Sequence, residues 1–146
     1  MSLSNFFTFF KYYNDFTPYN YYELSIQKWC QNNYQIHGLW PQYNSDSYPI
    51  NCIGPSYTDI TNTDLLNDMY RDWSNCDDST QSFWNHEWTK HGTCVYQQFG
   101  ITENQYFQIA INLFDQLTTD DFNKCNNQDD CIVACYNLDL YKINCP

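Results

Sequence analysis

The sequence predicts an α+β fold. Three observations carry this: two short apolar runs with strand character stand near the start, at residues 21–29 and 34–41; three stretches within residues 63–117 place apolar side chains at helical spacing; and residues 131–146 alternate loosely between cysteines. Strands and helices are therefore segregated along the chain. Aromatic residues make up 20% of the 146, so the core they imply is aromatic, and a chain of this length suits one domain, burying about 70% of its unfolded surface.

The first twenty residues, rich in Phe, Tyr and Asn, show no clear period. "YYELSIQKW" follows, with Tyr22, Leu24 and Ile26 alternating with Glu23, Ser25 and Gln27, which predicts a half-buried strand. "YQIHGLWP" is short and apolar, with Gly38 inside and Pro41 closing it, which suits a second strand carrying His37. "NSDSYPINCIGPSYTD" has the composition of a loop. "TDLLNDMYRDW" predicts a helix with Thr63 as N-cap and Leu65, Leu66, Met69, Tyr70 and Trp73 at helical spacing. "FWNHEWTKHGTC" belongs to the next helix, capped near Ser79 or Thr80 and stopped at Gly92. "TENQYFQIAINLFDQL" opens with a capping-box pattern from Thr102 to Gln105 and carries Tyr106, Ile109, Ala110, Leu113, Phe114 and Leu117 along one face, a core stripe. The tail "CIVACYNLDLYKINCP" reads as a disulfide-pinned hairpin.

Eight cysteines without a CxxC pair point to disulfides and an oxidising compartment rather than to zinc or a redox motif. No apolar run has the length of a membrane span, and the opening residues do not read as a signal peptide. The net charge of −11 argues against a broad nucleic-acid-binding surface, so any anion site must be local.

Such a site is available in the second helix. At about 100° per residue with His86 as zero, Lys90 falls near about 40°, Glu87 near about 100° and His91 near about 140°, so four polar side chains share one side and Phe83 lies within the same arc. Metalloprotease histidines stand four apart in H-E-x-x-H; here the spacing is five and Lys90 would repel a cation, which argues against zinc. No G-x-S-x-G is present for a serine nucleophile, and cysteines at this density are expected to be oxidised. The acidic pairs in "CDD" (residues 76–78) and "QDD" (residues 128–130) read as solvated loops. A plain solvated face with i,i+4 pairs is the bland alternative for the helix. Against it stands a third histidine, His37, in an apolar setting. Two imidazoles able to share acid and base roles, with further positive groups to hold negative charge, fit phosphoryl transfer without metal.

"IHGLWP" (residues 36–41) followed by "FWNHEWTKHGTC" (residues 83–94) resembles, in order and spacing, the two active-site segments of the ribonuclease T2 family of secretory acid ribonucleases. Weaker agreement extends through "YELSIQ", "YPINC" and "YRDW", so that residues 20–100 match well and the rest loosely. The resemblance implies a central antiparallel sheet flanked by helices and stabilised by disulfides, in one domain over residues 1–146 with a variable segment at 1–19 and a pinned tail at 125–146. It also implies a metal-independent endoribonuclease that cuts single-stranded RNA by transphosphorylation to a 2′,3′-cyclic phosphate, then hydrolyses this to a 3′-phosphate. The alternative is a catalytically silent, secreted ribonuclease-like binding or toxin module.

Carried over residue by residue, the resemblance makes His91 the base for the 2′-hydroxyl, His37 the acid for the leaving 5′-oxygen, and His86 a holder of a phosphate oxygen. Lys90 and Glu87 would stabilise the phosphorane, although Glu87 as a simple i,i+4 partner of His91 is the plainer reading. Phe83 would stack on a base, Gln27 would contact substrate, and Trp40 would pack against the phosphate site or serve the core. Cys52 would pair with Cys94, Cys30 with Cys76 and Cys135 with Cys145, leaving Cys125 with Cys131; sequence alone does not choose among the ~105 pairings of eight cysteines. The chain departs from the family in having Lys28 where a Trp is common and in a shorter segment between Cys94 and Cys125. The expected partner is RNA and not DNA, which lacks the 2′-hydroxyl, acted on by a monomer without cofactor or metal, outside the membrane, in a secreted or lysosomal/vacuolar setting.

Overall fold

The computed structural model describes residues 16–28, 32–75, 77, 79–126 and 128–146. A four-stranded antiparallel sheet of order β2-β1-β3-β4 is formed by β1 (Tyr21–Gln27), β2 (Gln35–Gln42), β3 (Asp130–Asn137) and β4 (Lys142–Ile143). Helices α1 (Thr63–Asp72), α2 (Thr80–Glu87), α3 (Thr93–Phe99), α4 (Glu103–Asp115) and α5 (Thr119–Asn123) lie between β2 and β3, with a π-helical turn at Trp88–Gly92 joining α2 to α3. This is the α+β arrangement expected. The initial segment at residues 1–15 and the proposed Cys30–Cys76 pair fall outside the described residues.

β1 is a central strand, not a half-buried one. It pairs with β2 on one side and β3 on the other, so its polar row is covered too: Ser25 and Gln27 are buried along with Tyr22, Leu24 and Ile26. β2 is an outer strand, which is why Pro41 is tolerated inside it rather than at its end. Opposite β1 the register jumps from Gly38 to Ile36, so His37 is the extra residue of a β-bulge. Bulges re-aim side chains, and this one lets Ile36 and Leu39 both reach the core while His37 leaves it. The carbonyls of His37 and Leu39 are taken by helix side chains, from Trp73 Nε1 at 3.0 Å and the Tyr106 hydroxyl at 2.8 Å.

The core is aromatic, with Trp73, Trp84, Trp88, Tyr106 and Phe107 fully buried against the sheet's Leu24, Ile26, Ile36 and Leu39. In α1 the N-cap is Asn62, whose side chain accepts from Leu65 N, and not Thr63; asparagine caps at least as well, and Thr63 becomes the first helical residue. Ser79 precedes α2 but makes no side-chain capping bond. Nor does Gly92 stop the helix: the chain passes through the π turn and runs on to Gly100, whose φ of 69° supplies the left-handed stop. The capping box at Thr102 and Gln105 is present. A second box, Thr118 with Asp121, starts the short α5. The tail does form a hairpin, β3 with β4, and its first strand also joins β1. Disulfides join Cys52 to Cys94, Cys125 to Cys131 and Cys135 to Cys145.

Candidate active site

Two elements meet at the site: the bulged stretch of β2 and the helix running from α2 into the π turn. A π turn holds one residue more than an α turn and is often found at functional sites. Here it is supported from outside by the loop before α1. Asn51 N–H donates to the Lys90 carbonyl at 2.9 Å, Trp88 Nε1 donates to the Pro55 carbonyl at 2.8 Å, Ile53 N–H donates to Gln97 at 2.9 Å, and the Cys52–Cys94 bridge closes the contact.

The four polar residues of that helix do not form one exposed face. Glu87 and His91 are turned inward, 1% and 4% exposed, while His86 is exposed and Lys90 half-buried. Trp40 Nε1 donates to Glu87 Oε2 at 2.9 Å, and the Trp40 ring stacks on His91 with centroids 5.3 Å apart. Trp40 is therefore a wall of the site rather than a core residue. His37 also lies against Trp40, edge-on with ring centroids 5.0 Å apart, with Nε2 3.9 Å from Glu87 Oε1 and the ring of Phe83 tilted beside it at 5.8 Å. Glu87 thus takes its hydrogen bond from Trp40 and has His37 within ion-pair distance. Gly38 makes the approach possible: a Cβ there would stand 2.1 Å from Trp40 Nε1 and 2.2 Å from Glu87 Oε2.

Burial separates the ionisation of the two inward groups. Desolvation lifts the Glu87 carboxyl to about 7, against the opposing Trp40 hydrogen bond and the Lys90 charge. The same burial, joined by the positive charges of Lys90, His86 and His37, lowers His91 to about 3, and its Nδ1 is buried without a hydrogen-bond partner among the described residues. At mildly acidic pH Glu87 is a protonated donor and His91 a neutral imidazole, two opposite departures within one site.

His37, Glu87, His91, Trp40, Lys90 and Phe83 come together as one constellation. His86 stands at its outer edge, lining with Lys90, Asn51, Ser82, Asn85 and Thr89 a separate polar recess of about 520 Å³. Gln27 is not in that constellation. It is 1% exposed, and among the described residues neither its amide nitrogen nor its oxygen has a hydrogen-bond partner. On the His91 side a recess of about 430 Å³ is lined by Tyr21, Glu23, Trp40, Gln42, Asp46 and Tyr48 among others. Sequence reasoning missed this recess, because its residues come from β1, β2 and a loop with no shared motif. It also missed Asp130, taken as a solvated loop residue: Asp130 opens β3, and its carboxylate lies 3.1 Å from His37 Nδ1. Among the described residues no group of three His, Cys, Asp or Glu side chains is arranged to hold a metal ion.

The sequence pattern of the Ribonuclease T2 family matches residues 7–134. The chain is 41% identical over 85 residues to Ribonuclease 1 of Arabidopsis thaliana, covering 56% of this chain and 36% of that protein. It is 32% identical over 110 residues to Ribonuclease DdI of Dictyostelium discoideum, covering 68% and 49%. The chain thus spans less than half the length of these curated relatives. Among solved structures, a variant of ribonuclease MC1, from bitter gourd seeds, in complex with 5′-UMP superposes with a TM-score of 0.60 at 26% identity, covering 68% of this chain and 58% of that one.

Proposed function

Because the chain belongs to the ribonuclease T2 family, we propose that it is a metal-independent endoribonuclease of single-stranded RNA. The observation that carries this reading is the pairing of a buried, neutral His91 with a half-exposed His37 across Trp40 and the protonated Glu87. One imidazole is kept in the form that takes a proton, and the other has the carboxylate of Asp130 3.1 Å from its Nδ1.

His91 takes the 2′-hydroxyl proton as that oxygen bonds to phosphorus, and His37 gives a proton to the 5′-oxygen as its bond to phosphorus breaks. The products are a 2′,3′-cyclic phosphate and a new 5′-hydroxyl. Hydrolysis reverses the roles: His37 takes a proton from water, and His91 returns one to the 2′-oxygen. Lys90 and His86 hold the phosphate oxygens, and Glu87, protonated at mildly acidic pH, donates a hydrogen bond to the phosphorane without repelling it. Phe83 offers a ring to the base on the leaving side. The recess beside His91 takes the base on the other side, where Glu23 and Asp46 accept from exocyclic amino groups. Three disulfides among the described residues suit a secreted or vacuolar compartment.

The test is cleavage of end-labelled RNA, with DNA alongside, from pH 4 to 8 in excess EDTA, comparing the wild type with His91→Ala. The expected outcome is RNA cut to 2′,3′-cyclic-phosphate ends by the wild type alone. Loss of all activity in EDTA, or equal cutting by both proteins, would overturn the reading.

A further inference from the structure

His37 is the extra residue of the β2 bulge, between the register partners Gly38 and Ile36. The rings of Trp40 and Phe83 bound its imidazole on two sides, but apolar walls do not select which nitrogen faces the cleft. A carboxylate does. Asp130 Oδ2 and Oδ1 lie 3.1 and 3.3 Å from His37 Nδ1, and Ser25, fully buried in the central strand, donates its hydroxyl to Asp130 Oδ1 at 3.0 Å. A buried hydroxyl needs a partner, and this one gives its bond to a carboxylate whose side chain is 50% exposed.

The segment carrying Asp130 is itself anchored. Lys28 N–H donates to the Asp129 carbonyl at 2.9 Å, and the Tyr34 hydroxyl to the Gln128 carbonyl at 3.2 Å. The next residue, Cys131, is bridged to Cys125. A loop carboxylate free to move would need none of this.

We propose that Asp130, held by Ser25, is a positioning residue for His37, presenting Nε2 to the scissile phosphodiester. The inference rests on the reading of His37 as proton donor and deepens it. An anionic acceptor on Nδ1 keeps the Nδ1–H tautomer after Nε2 has given up its proton. That tautomer has its lone pair on Nε2, the form required to take a proton from water in the hydrolysis step. One carboxylate thus serves both half-reactions while leaving the reacting nitrogen alone.

The test uses two substrates. A dinucleotide has a 5′-alkoxide leaving group that needs a proton; a nucleoside 3′-aryl phosphate expels a phenolate that does not. Asp130→Ala is expected to lower kcat on the dinucleotide by about 10–100-fold, the scale of a small misplacement of a reacting group, with KM within about twofold and kcat on the aryl ester little changed. Asp130→Asn, which keeps the size of the side chain, and Ser25→Ala should lose less in the same pattern. His37→Ala, measured in parallel, should show the same split with a larger loss, about 10²–10⁴-fold.

If His37→Ala splits the two substrates but Asp130→Ala and Asp130→Asn match the wild type on both, the positioning role is wrong and His37 as donor stands. Equal losses on both substrates from the Asp130 variants would mark a structural role and overturn the inference too. No split in His37→Ala would overturn the donor reading and this inference with it.

Discussion

Glu87 and His91, one helical turn apart and both buried, move a proton between them when the chain folds. In the unfolded chain at pH 5.5 the imidazole carries it, at an ordinary value of 6.5, and the carboxyl, at 4.5, does not; in the folded protein the carboxyl at about 7 holds it and the imidazole at about 3 does not. Burial is the largest cause of both departures.

Stability should record this exchange. Between about pH 4.5 and 6.5 the two states bind equal numbers of protons at this pair, so the pair adds no slope. Removing one member exposes the other. The raised Glu87 value favours folding below its unfolded value and loses this as pH rises through about 7, so Glu87→Gln should gain on the wild type by up to about 3 kcal/mol from pH 4.5 to 7. His91 works in the opposite direction: its lowered value costs stability as pH falls from 6.5 towards 3, and His91→Gln should gain by up to about 5 kcal/mol over that window. Urea denaturation at pH 4, 5.5 and 7.5 measures both; parallel curves for all three proteins would refute the exchange.

Gly38→Ala should damage the site directly. The added methyl would lie about 2 Å from Trp40 Nε1 and Glu87 Oε2, so one of these must move. The expected result is a loss of about 1–3 kcal/mol from overpacking, with a much larger relative loss of kcat. Wild-type turnover in Gly38→Ala would contradict the close approach.

Trp40→Phe keeps a ring on His91 but removes the donor to Glu87. The indole hydrogen bond lowers the Glu87 value, so without it the carboxyl should titrate above about 7, which carbonyl infrared spectroscopy of the protonated acid can follow. The unpaired acceptor should cost about 1–3 kcal/mol, less at acidic pH where the carboxyl is neutral.

The Cys52–Cys94 bridge spans 42 residues, and removing it by a double serine substitution should cost about 4 kcal/mol on the chain-entropy account. Because the same loop bonds the Lys90 carbonyl within the π turn, activity should fall further than the unfolded fraction explains, a comparison made by assaying well below the melting temperature.

Glu23→Gln and Asp46→Asn should change which base is accepted beside the scissile phosphate. Carboxylates in the recess accept from amino groups of adenine, guanine and cytosine but meet the O4 carbonyl of uracil unfavourably. The wild type is expected to cut after uracil most slowly, and the amide variants to narrow the gap. A set of dinucleotides that differ only in the 5′ base reports it.

Elements with their own period were legible in the sequence. The stripe of α4, its capping box and the "YQIHGLWP" strand each carry a local pattern, and the histidine-bearing segments are recognisable as a pair. What escaped depends on distant partners. Alternation in β1 shows one apolar row, but the burial of Ser25 and Gln27 comes from β3, whose Asp130 is 105 residues beyond Ser25. Asp130 is likewise 93 residues from His37. The π turn "WTKHG" has no signal distinguishing it from α-helix, so a wheel drawn at constant pitch puts His86 and Lys90 with Glu87 and His91, when the fold separates them by burial. The short α5 did carry a signal, its Thr118–Asp121 box.

The outer position of β2 has a consequence for association. A strand at the rim of a sheet offers its backbone to a strand from another molecule, the start of domain swapping and fibre growth. On β2 the Trp73 indole and the Tyr106 hydroxyl already occupy the carbonyls of His37 and Leu39, and the bulge and Pro41 interrupt the remaining ladder. His37 and the rim can therefore coincide without turning the cleft into a template for further copies. Trp73→Phe would reopen that edge, and slow self-association under mild denaturation, seeded through β2, is its expected cost.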